Sequence, residues 1–193
     1  MNIPARRSQY PFVTIALIVI SVAITLLTNF SLVPALVIGL PGRALFADVL
    51  AGEVWRLATP MFMHLSFLHI LFNMLWMWDL GRLVEILKGS IFLGLFVLVT
   101  GIASNIAQYV ITHSPGFGGM SGVVYALLGY VWMQGKFNPR FGFELHQATV
   151  VMMLIWYVVC WTGLAGPIAN WAHTAGLLVG VAWGYLDAQR ARR

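Results

Sequence analysis

The stretch Gly116-Phe117-Gly118-Gly119-Met120-Ser121-Gly122, followed by the apolar run Val123 to Met133, decides how the rest of the chain is read. Glycine-rich backbone leads directly into a helix hydrophobic enough to sit in a bilayer. A hydroxyl in the first turn of such a helix lies beside unpaired backbone N–H groups and the positive end of the helix dipole. That placement suits a serine that attacks a substrate and then stabilises the resulting oxyanion. Taken alone, the stretch reads more simply as a packing patch, because small residues let membrane helices approach closely. The remainder of the chain separates the two readings.

Of the 193 residues, 60% are apolar and only 9% charged, with a mean hydropathy of +0.86. This composition excludes an ordinary soluble domain and predicts an all-α, polytopic membrane protein. The net charge of +5 would point to nucleic acid in a soluble chain, but here the arginines sit in tails and loops. Their placement follows the positive-inside rule, so no nucleic-acid partner is expected. Cys160 is the single cysteine and lies in an apolar run, which gives no disulfide framework and no thiol cluster for a metal.

Six spans follow from the pattern, in one domain over residues 1–193 with no internal repeat. Residues 1–10 form a polar cytoplasmic tail with Arg6 and Arg7, and Pro11 to Asn29 is long enough for a retained first helix rather than a signal peptide. Residues 30–65 are interrupted by Pro34, Gly39, Pro41-Gly42 and Gly52 yet stay apolar, predicting a long, partly helical loop against the bilayer surface. Within it, Trp55-Arg56 reads as an interfacial aromatic with a neighbouring cation. The later spans run from Ser66 to about Leu87, from Ile91 to Thr112, from Ser121, from Gln147 to Thr162 and from Asn170 to Asp187, with Gln134 to His146 a polar connection. Six spans put both termini on one side, together with Arg82, Lys88, Lys136, Arg140, Arg190, Arg192 and Arg193; only Arg43 and Arg56 fall opposite. Both termini are therefore predicted cytoplasmic.

With that orientation, the second, fourth and sixth spans run inwards from the outer face. His69 and Asn73, Ser121, and His173 then share one depth in the outer half of the membrane, where polar groups are costly unless they face a cavity or one another. His69 and Asn73 are four residues apart on one helical face, as are Ser121 and Tyr125. His173, Gly176, Gly180 and Gly184 make a smooth stripe, and Ser121, Gly122, Ala126 and Gly129 offer a matching one. Packing these two faces together places His173 beside Ser121 as a general base beside a nucleophile. None of Asp48, Glu53, Asp79, Glu85, Glu144 and Asp187 falls near those outer ends, so the expected unit is a dyad without a carboxylate. Tyr125 is placed to hold the His173 ring by stacking, and His69, Asn73 and the Ser121 N–H are spare donors for an oxyanion.

These residues resemble the rhomboid intramembrane serine proteases. The likeness is carried by Gly119-Met120-Ser121-Gly122, His69-x-x-x-Asn73, Ala172-His173-x-x-Gly176 and Trp55-Arg56, and Val123 to Tyr130 is close to the bacterial GlpG type. It covers roughly residues 53 to 188. The resemblance implies Ser121 as nucleophile, His173 as base, an oxyanion hole of His69, Asn73 and the Ser121 N–H, Tyr125 as the stacking partner, and Gly119, Gly122 and Gly176 as motif glycines. It implies cleavage of peptide bonds in or near a substrate's transmembrane helix, without metal or cofactor, in a bacterial plasma membrane. It also implies a minimal six-helix version, without the cytosolic N-terminal domain of some relatives. His64 is a structural hydrogen-bonding position in that resemblance, and Glu85 a structural one.

Two departures stand out. Trp171 occupies a position usually filled by a small residue in the bacterial relatives and is expected to crowd the mouth of the site. Asp79 is expected to pair with Arg82 near the inner end of the second span. His113 and His146 read as solvated interfacial histidines, and the absence of a His-Glu-x-x-His pattern argues against a zinc protease. The alternative to a protease is an inactive rhomboid-like binder of client transmembrane helices. A transporter would call for inverted repeats, which the sequence lacks.

Overall fold

Pro11 has no N–H to leave unpaired and a restricted φ, and the first helix, α1 (Phe12–Leu27), starts directly after it. The computed structural model describes residues 10–192, which are helix, turn and loop with no strand among the described residues. Most of the expected tail, with Arg6 and Arg7, and the terminal Arg193 lie outside the described residues. The start of α1 is held by a residue far away in sequence. Glu85 accepts the backbone N–H groups of Val13 (2.9 Å) and Thr14 (2.8 Å), the Thr14 hydroxyl (2.7 Å) and the Ser90 hydroxyl (2.6 Å). An anion at the N-terminus of a helix answers both the orphan donors and the dipole.

The loop that follows is partly helical, as expected, with a short helix α2 (Ala47–Leu50) and 3₁₀ turns at Val54–Leu57 and Thr59–Phe62. Its organising residue is Arg56. That side chain is not an interfacial cation but is buried, donating to the carbonyls of Pro34 and Val37 and to Glu53. A guanidinium with five donors can gather several loop carbonyls at once, which explains why it turns inwards. Asp48 makes a second tie, accepting from the Leu40 N–H at 3.0 Å and from Arg43. Burial pushes its carboxyl up, but these partners outweigh that and hold it below its ordinary value.

Ser66 caps α3 (Phe67–Trp76), its hydroxyl accepting from the His69 N–H at 3.2 Å. The column does not continue as regular α-helix. A π turn at Met77–Gly81 precedes α4 (Arg82–Lys88). The extra residue in that turn rotates the helix face, and the expected Asp79–Arg82 pair does not form. Arg82 instead lies 5.3 Å from the centre of the Trp78 ring. Gly89, at φ +95°, breaks the chain into α5 (Ser90–Thr112). By length and composition α5 is the one helix among the described residues long and apolar enough to cross a membrane.

The centre of the fold is α6 (Ser121–Phe137), buried on every side from Gly122 to Val131. Its surroundings explain why its sequence is apolar all round rather than on one stripe. Phe96 and Leu93 from α5, Met77 and Leu80 from the π turn, and Tyr130 and Leu127 from α6 itself share one core. α6 makes its most extensive contact with α8 (Asn170–Arg192), and the two small-residue stripes meet as the spacing predicts. A Cβ on Gly176 would strike the Gly122 carbonyl, one on Gly180 the Ala126 carbonyl, and one on Gly184 the Tyr130 carbonyl. No larger residue fits at these positions without separating the helices.

Two boundaries differ from expectation. α6 continues to Phe137, through the start of what reads as a polar connection, because Gln134 finds buried partners on α8. It donates to the Gly184 carbonyl at 2.8 Å and accepts from Asn138 at 2.7 Å. Tyr130 also donates to Asp187, and Lys88 pairs with the same carboxylate at 2.8 Å, so α4, α6 and α8 are tied at one end. α8 likewise runs past Asp187 to Arg192, with Arg190 and Arg192 in its last turn, where cations suit the negative end of the dipole. Between α6 and α8 in the sequence comes α7 (Gln147–Trp161), whose start is capped by His146 accepting from the Ala148 N–H at 3.3 Å. His146 is thus a cap rather than a merely solvated histidine.

Candidate active site

The loop Gly116–Met120 is held from below before α6 begins. Gly119 donates its N–H to the Pro60 carbonyl at 3.0 Å, and Met120 donates its own to His64 Nε2 at 3.3 Å. Because Nε2 accepts, the His64 proton sits on Nδ1, which faces the Thr25 hydroxyl of α1 at 3.3 Å. His64 is fully buried, and its structural role follows from these two bonds. Gly119 has φ +114°, a region side chains avoid, and a Cβ there would run into the His69 ring. With the Gly119 and Met120 donors engaged, the Ser121 N–H is the first at the head of α6 without a partner among the described residues.

Ser121 and His173 come together across the α6–α8 contact, with Ser121 Oγ 2.7 Å from His173 Nε2. His173 is 4% exposed, and its Nδ1 has no partner among the described residues. No carboxylate approaches it. Asp48, Glu53, Glu85 and Asp187 are bound to groups elsewhere. The Tyr125 ring lies 4.8 Å from the His173 ring, tilted by 38°. It is the one aromatic ring in contact with the imidazole among the described residues.

On α3, His69 Nδ1 accepts from the Leu65 N–H at 3.4 Å, which leaves the proton on Nε2, the atom turned towards Gly119. Asn73 donates to the His69 carbonyl at 2.8 Å and is 6% exposed, and its Oδ1 is without a partner among the described residues. Each Asn amide carries two protons, so one donor remains after the bond within the helix. Gly122 and Gly176 face each other at the base of this arrangement.

A family model described as Rhomboid domain matches residues 51–190. The chain belongs to the rhomboid family. Proteins described as "Rhomboid protease GlpG" from Salmonella paratyphi A (strain ATCC 9150 / SARB42), Salmonella newport (strain SL254) and Salmonella typhi are each 45% identical over 151 residues. The match takes in 77% of this chain and 54% of each relative, so the chain spans about half the length of the curated relatives it matches.

Within this rhomboid chain several supporting residues escape a reading of the sequence. Gln108 of α5 accepts the Trp171 N–H (3.0 Å) and the Ala172 N–H (3.3 Å), capping α8 just ahead of His173. Asn105 donates to the Leu57 carbonyl at 2.9 Å and ties α5 to the first loop. Both stand out as polar residues in an apolar span, which is the one signal they give. Trp171 is 37% exposed and leans edge-on against Trp161, with ring centres 5.0 Å apart. Its indole is thus engaged with the end of α7. Cys160 is buried and free.

Proposed function

We propose that this rhomboid chain is an intramembrane serine endopeptidase that hydrolyses peptide bonds in or near transmembrane segments of membrane-protein substrates. The observation that carries the reading is the 2.7 Å approach of Ser121 Oγ to His173 Nε2 at the head of two helices locked by glycines. His173 takes the serine proton as Oγ attacks the scissile carbonyl, and returns it to the leaving amine. The acyl-enzyme is then hydrolysed by water activated by the same base. Charge developing on the carbonyl oxygen meets the Ser121 N–H, His69 and Asn73, each such donor being worth about 10²–10³ in rate. Tyr125 keeps the imidazole in line. Gly119, Gly122 and Gly176 let the backbone and the helices close up at the site. The chemistry needs no metal or cofactor.

The setting is a bilayer, with the chain as one six-span domain over residues 1–193. The spans are α1, the α3–α4 column, α5, α6, α7 and α8, with residues 30–65 lying at the outer interface. Large apolar side chains exposed on α1, α5 and α7, such as Val19, Ile91 and Val158, support a hydrocarbon surround. Ser121 starts α6 and Lys136 lies in its last turn. The cations Lys88, Lys136, Arg140, Arg190 and Arg192 therefore lie towards the opposite end from the site, which supports cytoplasmic termini in a bacterial plasma membrane.

The test is labelling of the purified protein with a fluorophosphonate probe, beside Ser121→Ala and His173→Ala. Wild type is expected to label, and both variants to stay unlabelled while folded. Folded wild type that resists the probe overturns the reading in favour of an inactive binder of transmembrane helices.

A further inference from the structure

A histidine base with no carboxylate behind it must be oriented by something else, and the contacts lead from His173 outwards to α7. Tyr125, which lies on the His173 ring, is itself held from that helix. Its phenol donates to the Met153 carbonyl at 3.3 Å, and the Tyr157 ring stands edge-on to it at 5.7 Å. Tyr157 is fixed in turn by a hydroxyl contact of 2.7 Å with Thr174, the residue after His173. The direction of that bond can be assigned. Thr174 has one hydroxyl proton and donates it to the Asn170 carbonyl at 2.9 Å, so Tyr157 is the donor to Thr174. Asn170 then donates back to the Cys160 carbonyl of α7 at 3.0 Å. A closed circuit of three hydrogen bonds joins α7 and α8 beside the base.

Beyond these bonds and the Trp161–Trp171 contact, little else secures α7. Its buried residues are Val150, Met153 and Cys160, and two of these three are the ones whose carbonyls accept the bonds just described. The backbone of His173, by contrast, is set by the α6–α8 glycine contact and by the Gln108 cap. Loss of the Tyr157–Thr174 bond therefore leaves the helix that carries His173 in place and frees the aromatic stack that aims its ring.

We infer that Tyr157 and Thr174 are positioning residues for the base: their hydrogen bond clamps Tyr157 against Tyr125, and Tyr125 against His173, in the part that a carboxylate plays in a triad. The inference rests on the serine-protease reading. It binds catalytic alignment to the seating of α7, since Tyr125 has its hydrogen-bond acceptor and its second ring contact on that helix. An imidazole so held loses alignment rather than tautomer, so the effect is smaller than the ~10⁴ seen when a triad acid is removed.

The experiment compares wild type with Tyr157→Phe, Thr174→Val and Thr174→Ser. It reads the fluorophosphonate labelling rate, kcat and KM on a transmembrane peptide, and the unfolding midpoint in detergent. Tyr157→Phe and Thr174→Val should each lower the labelling rate and kcat by about tenfold with KM unchanged, as a small misplacement of a reacting group does. Thr174→Ser keeps the hydroxyl and should return the rate to near wild type. The double variant Tyr157→Phe/Thr174→Val should be no slower than either single one, because both remove the same bond. Wild-type rates in Thr174→Val overturn the inference, as does an equal loss in Thr174→Ser, a change confined to KM, or a rate loss that tracks a lowered unfolding midpoint. Unlabelled wild type removes the protease reading and this inference with it; labelled wild type with unaffected variants removes this inference alone.

Discussion

At Gly119 two constraints coincide, a backbone angle that side chains resist and an imidazole where a Cβ would stand. Gly119→Ala should therefore strain the loop by about 1–3 kcal/mol and push the His69 ring off its position. Labelling by a fluorophosphonate is expected to fall by at least about tenfold, since a donor displaced from the oxyanion weakens the attack. A wild-type labelling rate in this variant would show that the His69–Gly119 contact is not needed for chemistry. The Ser121–His173 pair was legible in the sequence because glycines at helical spacing say which faces can touch. His64 and Tyr157 were not legible in the same way. Each works through a partner from a distant segment, Thr25 for one and Thr174 for the other, and nothing in the spacing of either residue points to that partner. Arg56 failed for a related reason. A cation in an apolar loop reads as interfacial until its acceptors are seen to be the loop's own carbonyls.

Among the elements, the α6–α8 pair bears most of the architecture, and its contact surface is backbone against backbone. Gly180→Leu would thrust a side chain into the Ala126 carbonyl. Overpacking of this kind is expected to destabilise by at least about 1–3 kcal/mol. The check is a lower midpoint in an unfolding titration from mild detergent into dodecyl sulfate; an unchanged midpoint would mean that the helices part and repack at no penalty. Helix existence followed closely from hydropathy here, and helix ends did so less well. α6 outran its apolar run because Gln134 and Asn138 are satisfied inside the protein, and a polar residue with a buried partner looks the same in sequence as one facing water. The π turn at Met77–Gly81 left no trace, since one extra residue in an apolar stretch changes neither composition nor length enough to notice.

For the molecule as a whole, the proposed orientation is open to a direct test, helped by Cys160 being the sole thiol and 1% exposed. A membrane-impermeant maleimide should label Ser114→Cys in intact cells, leave Arg140→Cys untouched until the cells are opened, and leave the parent chain silent throughout. Labelling of Arg140→Cys in intact cells would reverse the orientation. The bonds of α1 matter at this scale too. That helix lies outside the matched residues 51–190, yet the Thr14 hydroxyl and the N–H groups of Val13 and Thr14 satisfy Glu85, and Thr25 satisfies His64 beneath the loop ahead of Ser121. A fragment cut at the edge of the matched region would keep every residue of the proposed catalytic machinery and strand a carboxylate and an imidazole in its interior. The smallest piece that matches the family is thus smaller than the smallest piece in which Glu85 and His64 keep their partners, and anyone splitting this chain for reassembly should expect α1 to be the part that restores the rest.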